Sequence, residues 1–123
     1  KGTPVLLLHG YGEDSQIWNN QIEYLSTHCL LIVPDLPGSG KSSITAKGKE
    51  EWLPNLRIES LAHSMNEILI AENLAACILL GHSMGGYISL AFAELYPSKI
   101  WCTARLMLIA MRKKLLEKKV FSF

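Results

Sequence analysis

The chain has no long apolar run, few cysteines and little excess charge, and it has no histidine or aspartate after residue 83 of 123. No apolar stretch approaches the roughly 18 residues that a membrane-spanning helix needs, and no signal peptide opens the sequence, so no membrane partner is expected. The three cysteines, Cys29, Cys77 and Cys102, are odd in number and lack C-x-x-C spacing. That spacing argues against a disulfide framework and against a zinc site. Two of them lie in strand-like apolar runs, the pattern of buried free thiols in a reducing compartment; a cytoplasmic location without a bound metal is the expectation. Twelve Lys and Arg against eleven Asp and Glu leave a net charge of +1. The tail Arg112–Lys119 concentrates basic residues and the rest of the chain is net acidic, so nucleic acid is not the expected partner. Repeats and low-complexity linkers are also missing from the sequence.

What remains is globular: 49% of residues are apolar and 19% charged. Val5–Leu8 is a short β-rich run ending in the turn His9-Gly10-Tyr11-Gly12. Ser15 is placed as the N-cap of a helix reaching about Ser26, with Ile17, Trp18, Ile22 and Leu25 on one face. Leu30–Val33 reads as a strand buried on both faces, stopped by Pro34 and Pro37. Ser42–Asn55 reads as a polar loop. Ile58, Leu61, Ala62, Met65, Ile68 and Leu69 predict a helix stopping near Asn73. Ala76–Leu80 predicts another buried strand. Gly86–Tyr96 predicts a helix with Ile88, Ala91, Phe92 and Leu95 inward. Strands alternating with amphipathic helices imply an α/β fold with a mainly parallel, doubly wound sheet and helices on both faces.

The chemistry concentrates in Gly81-His82-Ser83-Met84-Gly85, a G-x-S-x-G between an apolar run and a helical pattern. A serine on a sharp strand-to-helix turn raises its hydroxyl above the sheet, where a base can activate it. Ser83 is the candidate nucleophile. The Met84 N–H, at the start of the helix, is a candidate oxyanion donor. Gly81, Gly85 and Gly86 permit the strained turn and the close backbone packing. In the first turn, Gly10 and Gly12 let the loop approach the nucleophile, and the Tyr11 N–H is the second candidate donor. Taken singly, a tight βα turn and an ordinary glycine loop explain these motifs as well; their pairing favours chemistry. His82 is expected to face away from the hydroxyl as a packing or hydrogen-bonding residue, and His9 to order the loop. His28 and His63 read as ordinary surface or helix histidines. For Trp18, reaching the pocket and a core or rim role both stand.

With these pieces in order, residues 3–100 resemble the α/β-hydrolase family. They include Val33-Pro34-Asp35-Leu36-Pro37-Gly38-Ser39-Gly40-Lys41-Ser42, which is similar to the family's D-x-P-G-x-G-x-S turn. The resemblance implies that the three apolar runs correspond to the family's third, fourth and fifth strands. It also implies acylation of the serine by an ester, amide or related small-molecule carbonyl substrate, followed by hydrolysis, with no cofactor. Asp35 takes a structural role in this reading, and Ser83 argues against the family's dehalogenase branch with its aspartate nucleophile.

The chain departs from the family after the elbow. The family order is Ser, acid, then His, yet only Glu94 and Glu117 follow Ser83 as acids. The expectation is therefore that residues 1–123 are the N-terminal part of a single catalytic domain, with 101–123 an atypical tail in which Leu106–Met111 can serve as a strand. The alternative is a catalytically inactive truncated or frameshifted hydrolase fragment lacking triad acid and base. A third reading takes Gly38-Ser39-Gly40-Lys41-Ser42 as the phosphate loop of an NTPase. Walker A requires a glycine where Asp35 stands, and a carboxylate there repels phosphate.

Overall fold

Alternation along the first strand divides the core in two. The computed structural model describes residues 2–43, 56–101 and 107–108. Strand β1 (Thr3–Leu8) sends Leu6 and Leu8 into one buried cluster, and Val5 and Leu7 into another, as the period of two of a strand dictates. All four side chains are at most 4% exposed, so β1 is covered on both faces.

The second cluster is closed by Trp18 from the 3₁₀ turn Ser15–Trp18 and by Ile22 and Leu25 of helix α1 (Asn19–Ser26). The first is closed by helix α2 (Ile58–Ala71), through Leu61, Ala62, Met65 and Leu69, and by helix α3 (Met84–Leu95), through Ile88 and Phe92. Strands β2 (Cys29–Ile32), β3 (Ile78–Gly81) and β4 (Met107–Leu108) complete an all-parallel sheet in the order β2-β1-β3-β4. This is the expected doubly wound α/β arrangement. The chain steps from β1 outward to β2, then back across β1 to β3. Right-handed crossovers place the two connections on opposite faces when the direction reverses. The switch point therefore lies between β1 and β3, and the loops leaving their carboxyl ends meet there.

Several boundaries differ from the sequence reading. Asp14, not Ser15, is the N-cap: its carboxylate accepts from the Gln16 N–H at 2.8 Å, and a 3₁₀ turn precedes the α-helix. β2 is not buried on both faces. Leu30 is 43% exposed, because among the described residues β2 has only β1 as a partner. β3 begins two residues late, since Cys77 is tied to Ile100 by an isolated bridge. α3 begins at Met84 rather than Gly86, because the Gly85 and Gly86 N–H groups already bond to the carbonyls of His82 and Ser83, both at 2.9 Å. Leu95 lies outward, 40% exposed, and Ser89 occupies the inner face instead, its hydroxyl donating to the Gly85 carbonyl at 2.8 Å. Cys29 and Cys77 are free thiols, and burial pushes the Cys77 thiol up to about 12. Cys102, residues 44–55 of the expected loop and most of the 101–123 tail lie outside the described residues. Among the described residues no helix is long and apolar enough to cross a membrane.

Candidate active site

Ser83 carries the clearest geometric signal. Its φ of 51° and ψ of −116° fall where non-glycine residues rarely sit. Tight packing enforces this turn. A Cβ on Gly81 would lie 2.3 Å from the Gly85 carbonyl oxygen, and one on Gly85 would lie 2.3 Å from the Leu8 oxygen. The His82 N–H donates to the Leu8 carbonyl at 2.9 Å, so the elbow is bonded to the end of β1 as well as pressed against it. The Ser83 side chain makes no capping hydrogen bond to α3 and is exposed. Its hydroxyl is thus held at the carboxyl end of the sheet without an internal partner among the described residues.

The loop after β1 is fixed by two side chains. His9 is fully buried; its Nε2 accepts from the Leu36 N–H at 2.9 Å. That nitrogen therefore carries no proton, and Nδ1 is the donor to the Gly10 carbonyl at 2.8 Å. Because the peptide is planar and trans, fixing the Gly10 C=O also fixes the opposite direction of the Tyr11 N–H. His9 thus orders the loop, as expected from sequence. Glu13 Oε2 accepts from the Gly10 N–H at 2.7 Å and from His82 Nδ1 at 2.9 Å. Its hydrogen bond to His82, foremost, lowers the Glu13 carboxyl from its ordinary value, with burial opposing and the Gly10 N–H assisting. His82 is thereby turned to Glu13. His28 is exposed beside Tyr24, and His63 is exposed and bonded to the Tyr96 hydroxyl. Glu94 is exposed near the far end of α3. Among the described residues, no histidine is hydrogen-bonded to Ser83.

Trp18 is 5% exposed and packs with Val5 and Leu7, so its ring is core. It also lines a small depression of about 180 Å³ with Ile17, Gln21 and His82, which Ser83 does not line. Tyr11 is 86% exposed. Neither the Tyr11 nor the Met84 N–H takes part in a turn or loop hydrogen bond among the described residues. Among the described residues, no three His, Cys, Asp or Glu side chains cluster to hold a metal.

Asp35 is a loop clamp. Oδ1 accepts from the Ser15 N–H at 2.8 Å, Oδ2 from the Lys41 N–H at 2.7 Å, and its carbonyl from the Ser42 hydroxyl at 2.7 Å. The Lys41 and Ser15 backbone donors lower its carboxyl to about 2. This loop leaves no phosphate cradle: the N–H groups of Gly38, Ser39, Lys41 and Ser42 all bond internally. Since the folded-state value lies below the unfolded one of about 3.9, Asp35 contributes stability that is complete above pH ~4 and is lost as pH falls toward 2. Asp35→Ala is expected to lower Tm by a few degrees at pH 7 and to flatten the fall in Tm between pH 4 and 2. Thermal melts across that range check this; an unchanged slope would contradict it.

The comparisons with known proteins follow the same lines. The family model for the alpha/beta hydrolase fold matches residues 3–109. The chain is 36% identical over 99 residues to the 1-acylglycerol-3-phosphate O-acyltransferase of Rattus norvegicus, covering 80% of this chain and 27% of that protein. It is 31% identical over 100 residues to the (E)-2-((N-methylformamido)methylene)succinate hydrolase of Acinetobacter baylyi, covering 81% and 35%. Among solved structures, a thermophilic esterase from Thermogutta terrifontis superposes with a TM-score of 0.70 at 34% identity, covering 81% of this chain and 35% of that one. The chain thus spans about a quarter to a third of the length of these relatives. From the all-parallel sheet, the loop and elbow meeting at its switch point, and a family match over most of its length, the chain belongs to the α/β-hydrolase fold family.

Proposed function

We propose that this chain is the nucleophile-bearing part of a serine hydrolase acting on small ester, amide or similar carbonyl substrates in the cytoplasm. The observation that carries this reading is Ser83: a non-glycine residue at φ 51°, exposed, with its hydroxyl unspent on capping the helix that begins beside it. In the proposed reaction Ser83 Oγ attacks the carbonyl carbon while a base accepts the hydroxyl proton. The tetrahedral oxyanion is held by the N–H groups of Tyr11 and Met84, and the proton passes to the leaving group as the C–O or C–N bond breaks. Water then attacks the acyl-Ser83 ester by the same route, releasing the acid and restoring the hydroxyl. No metal or organic cofactor enters this scheme. In this reading base and acid come from outside residues 1–123, because the family order is Ser, acid, then His, and no histidine follows Ser83 in the chain.

That same observation favours a second reading, in which residues 1–123 by themselves keep the elbow but turn nothing over. A fluorophosphonate probe with mass-spectrometric mapping tests both. Stoichiometric labelling of Ser83 in the full-length protein is expected, with little or none in residues 1–123 alone. Label on another residue, or none in the full-length protein, would overturn the hydrolase reading. Rapid labelling of the short chain would overturn the inactive one.

A further inference from the structure

We propose that Glu13 is a positioning residue for acyl transfer at Ser83, its carboxylate riveting the loop after β1 to the residue that precedes the nucleophile. The proposal rests on Ser83 being the nucleophile. Glu13 lies between β1 and the Ser15–Trp18 turn, outside regular structure. A single oxygen, Oε2, accepts from both the Gly10 N–H at 2.7 Å and His82 Nδ1 at 2.9 Å. An ionised carboxylate only accepts, so His82 presents a protonated Nδ1 to it. One end of the rivet thus holds the glycine before the Tyr11 donor, and the other holds the side chain adjoining Ser83.

The contact between these two segments leaves little slack. A Cβ on Gly10 would stand 3.1 Å from Ser83 Cβ, so the loop is stopped against the nucleophile on that side. Glu13 also closes its own turn through its N–H, which donates to the Gly10 carbonyl at 3.3 Å. With His9 Nδ1 on the same carbonyl, the peptide groups on both sides of Gly10 have their directions set. The second of these groups carries the Tyr11 N–H. Losing the carboxylate unties the Gly10 N–H and the His82 side chain, so the loop is no longer fastened to the residue before Ser83. The Tyr11 N–H, still fixed within its own turn by the bonds to the Gly10 carbonyl, shifts with that turn relative to the nucleophile. An oxyanion exists only in the transition state and the intermediate, so misdirecting its donor lowers kcat and leaves substrate binding largely alone.

The test uses the full-length protein with p-nitrophenyl acetate as the substrate probe, and hydrogen exchange of the Gly10–Glu13 segment as a readout that does not depend on turnover. Glu13→Ala is expected to lower kcat about 10- to 100-fold, with KM within about threefold, and to speed exchange in that segment. Glu13→Gln keeps an acceptor oxygen at the same reach and is expected to recover most of kcat. The proposal is overturned if exchange is unchanged in Glu13→Ala, if exchange speeds up while kcat holds, or if Glu13→Gln falls as far as the alanine variant. A collapse of Tm in Glu13→Ala would make the residue merely structural and overturn it too. Ser83→Ala separates the two readings: turnover that survives it sinks the nucleophile assignment, whatever Glu13 does.

Discussion

Gly85→Ala is expected to destabilise the full-length protein by about 3 kcal/mol or more, the upper end of what overpacking costs. The added Cβ would stand 2.3 Å from the Leu8 oxygen and 2.8 Å from the His9 oxygen. These are backbone atoms at and just beyond the end of β1, which has β2 on one side and β3 on the other, so neither can give way as a flexible side chain would. Relief requires α3 to lift from β1. That movement strains the His82 N–H bond to Leu8 and displaces Ser83 from the loop that faces it. Gly12→Ala is the control. Its φ is +72° but nothing lies within 4 Å of the new Cβ, so the cost is confined to backbone conformation, about 1 kcal/mol. Urea titrations of both variants check the contrast. Equal losses would show that the backbone of β1 gives way and that close approach is not what requires glycine at 85.

This contrast bears on how the fold could be read in advance. The β1 run, the α2 stripe and the strand-to-helix turn at Ser83 were legible because each rests on a local rule: a β-rich apolar run ending in a glycine turn, spacing at the helical repeat, and glycines flanking a serine between an apolar run and a helical pattern. Sheet order, by contrast, follows from where successive crossovers turn, and the exposure of Leu30 follows from β2 having a single neighbour among the described residues. Neither is a property of the residues in the run. The start of α3 escaped for a local reason. Gly85-Gly86 has poor helix propensity, which predicts a later start, but two turn hydrogen bonds closing on His82 and Ser83 begin the helix directly at the elbow.

The site was legible in part. His9 and Asp35 were placed in ordering roles and each is found tying backbone N–H or C=O groups across loops. Glu13 was missed. Its partners are the Gly10 N–H, three residues back, and His82, across the sheet. The first is a spacing that could have been noticed, since a carboxylate three residues after a glycine can reach back to that glycine's N–H, as in a capping box. The second depends on β1 and β3 lying side by side, which no local pattern states.

With Ser83 as the proposed nucleophile, Ser83→Gly is expected to abolish turnover of the full-length protein, a fall on the order of a million-fold, while raising stability by about 1 kcal/mol. At φ 51° and ψ −116° a side chain costs about 1–3 kcal/mol, which glycine relieves, set against about 0.5–1 kcal/mol from the greater freedom of glycine in the unfolded chain. The lost hydroxyl subtracts nothing, since it caps no helix N–H. Ser83→Ala separates the two effects: it removes the proposed nucleophile, keeps the backbone strain, and should melt with the wild type. A glycine variant no more stable than the alanine variant would show that the surroundings, not the serine, set the energy of this turn. The expected order has a functional meaning. The elbow's hydrogen bonds to Leu8, His82 and Ser83 hold a residue where its own backbone resists being held. On the proposed reading, that strain keeps a hydroxyl exposed at the start of α3, where glycine would hold the same turn without one.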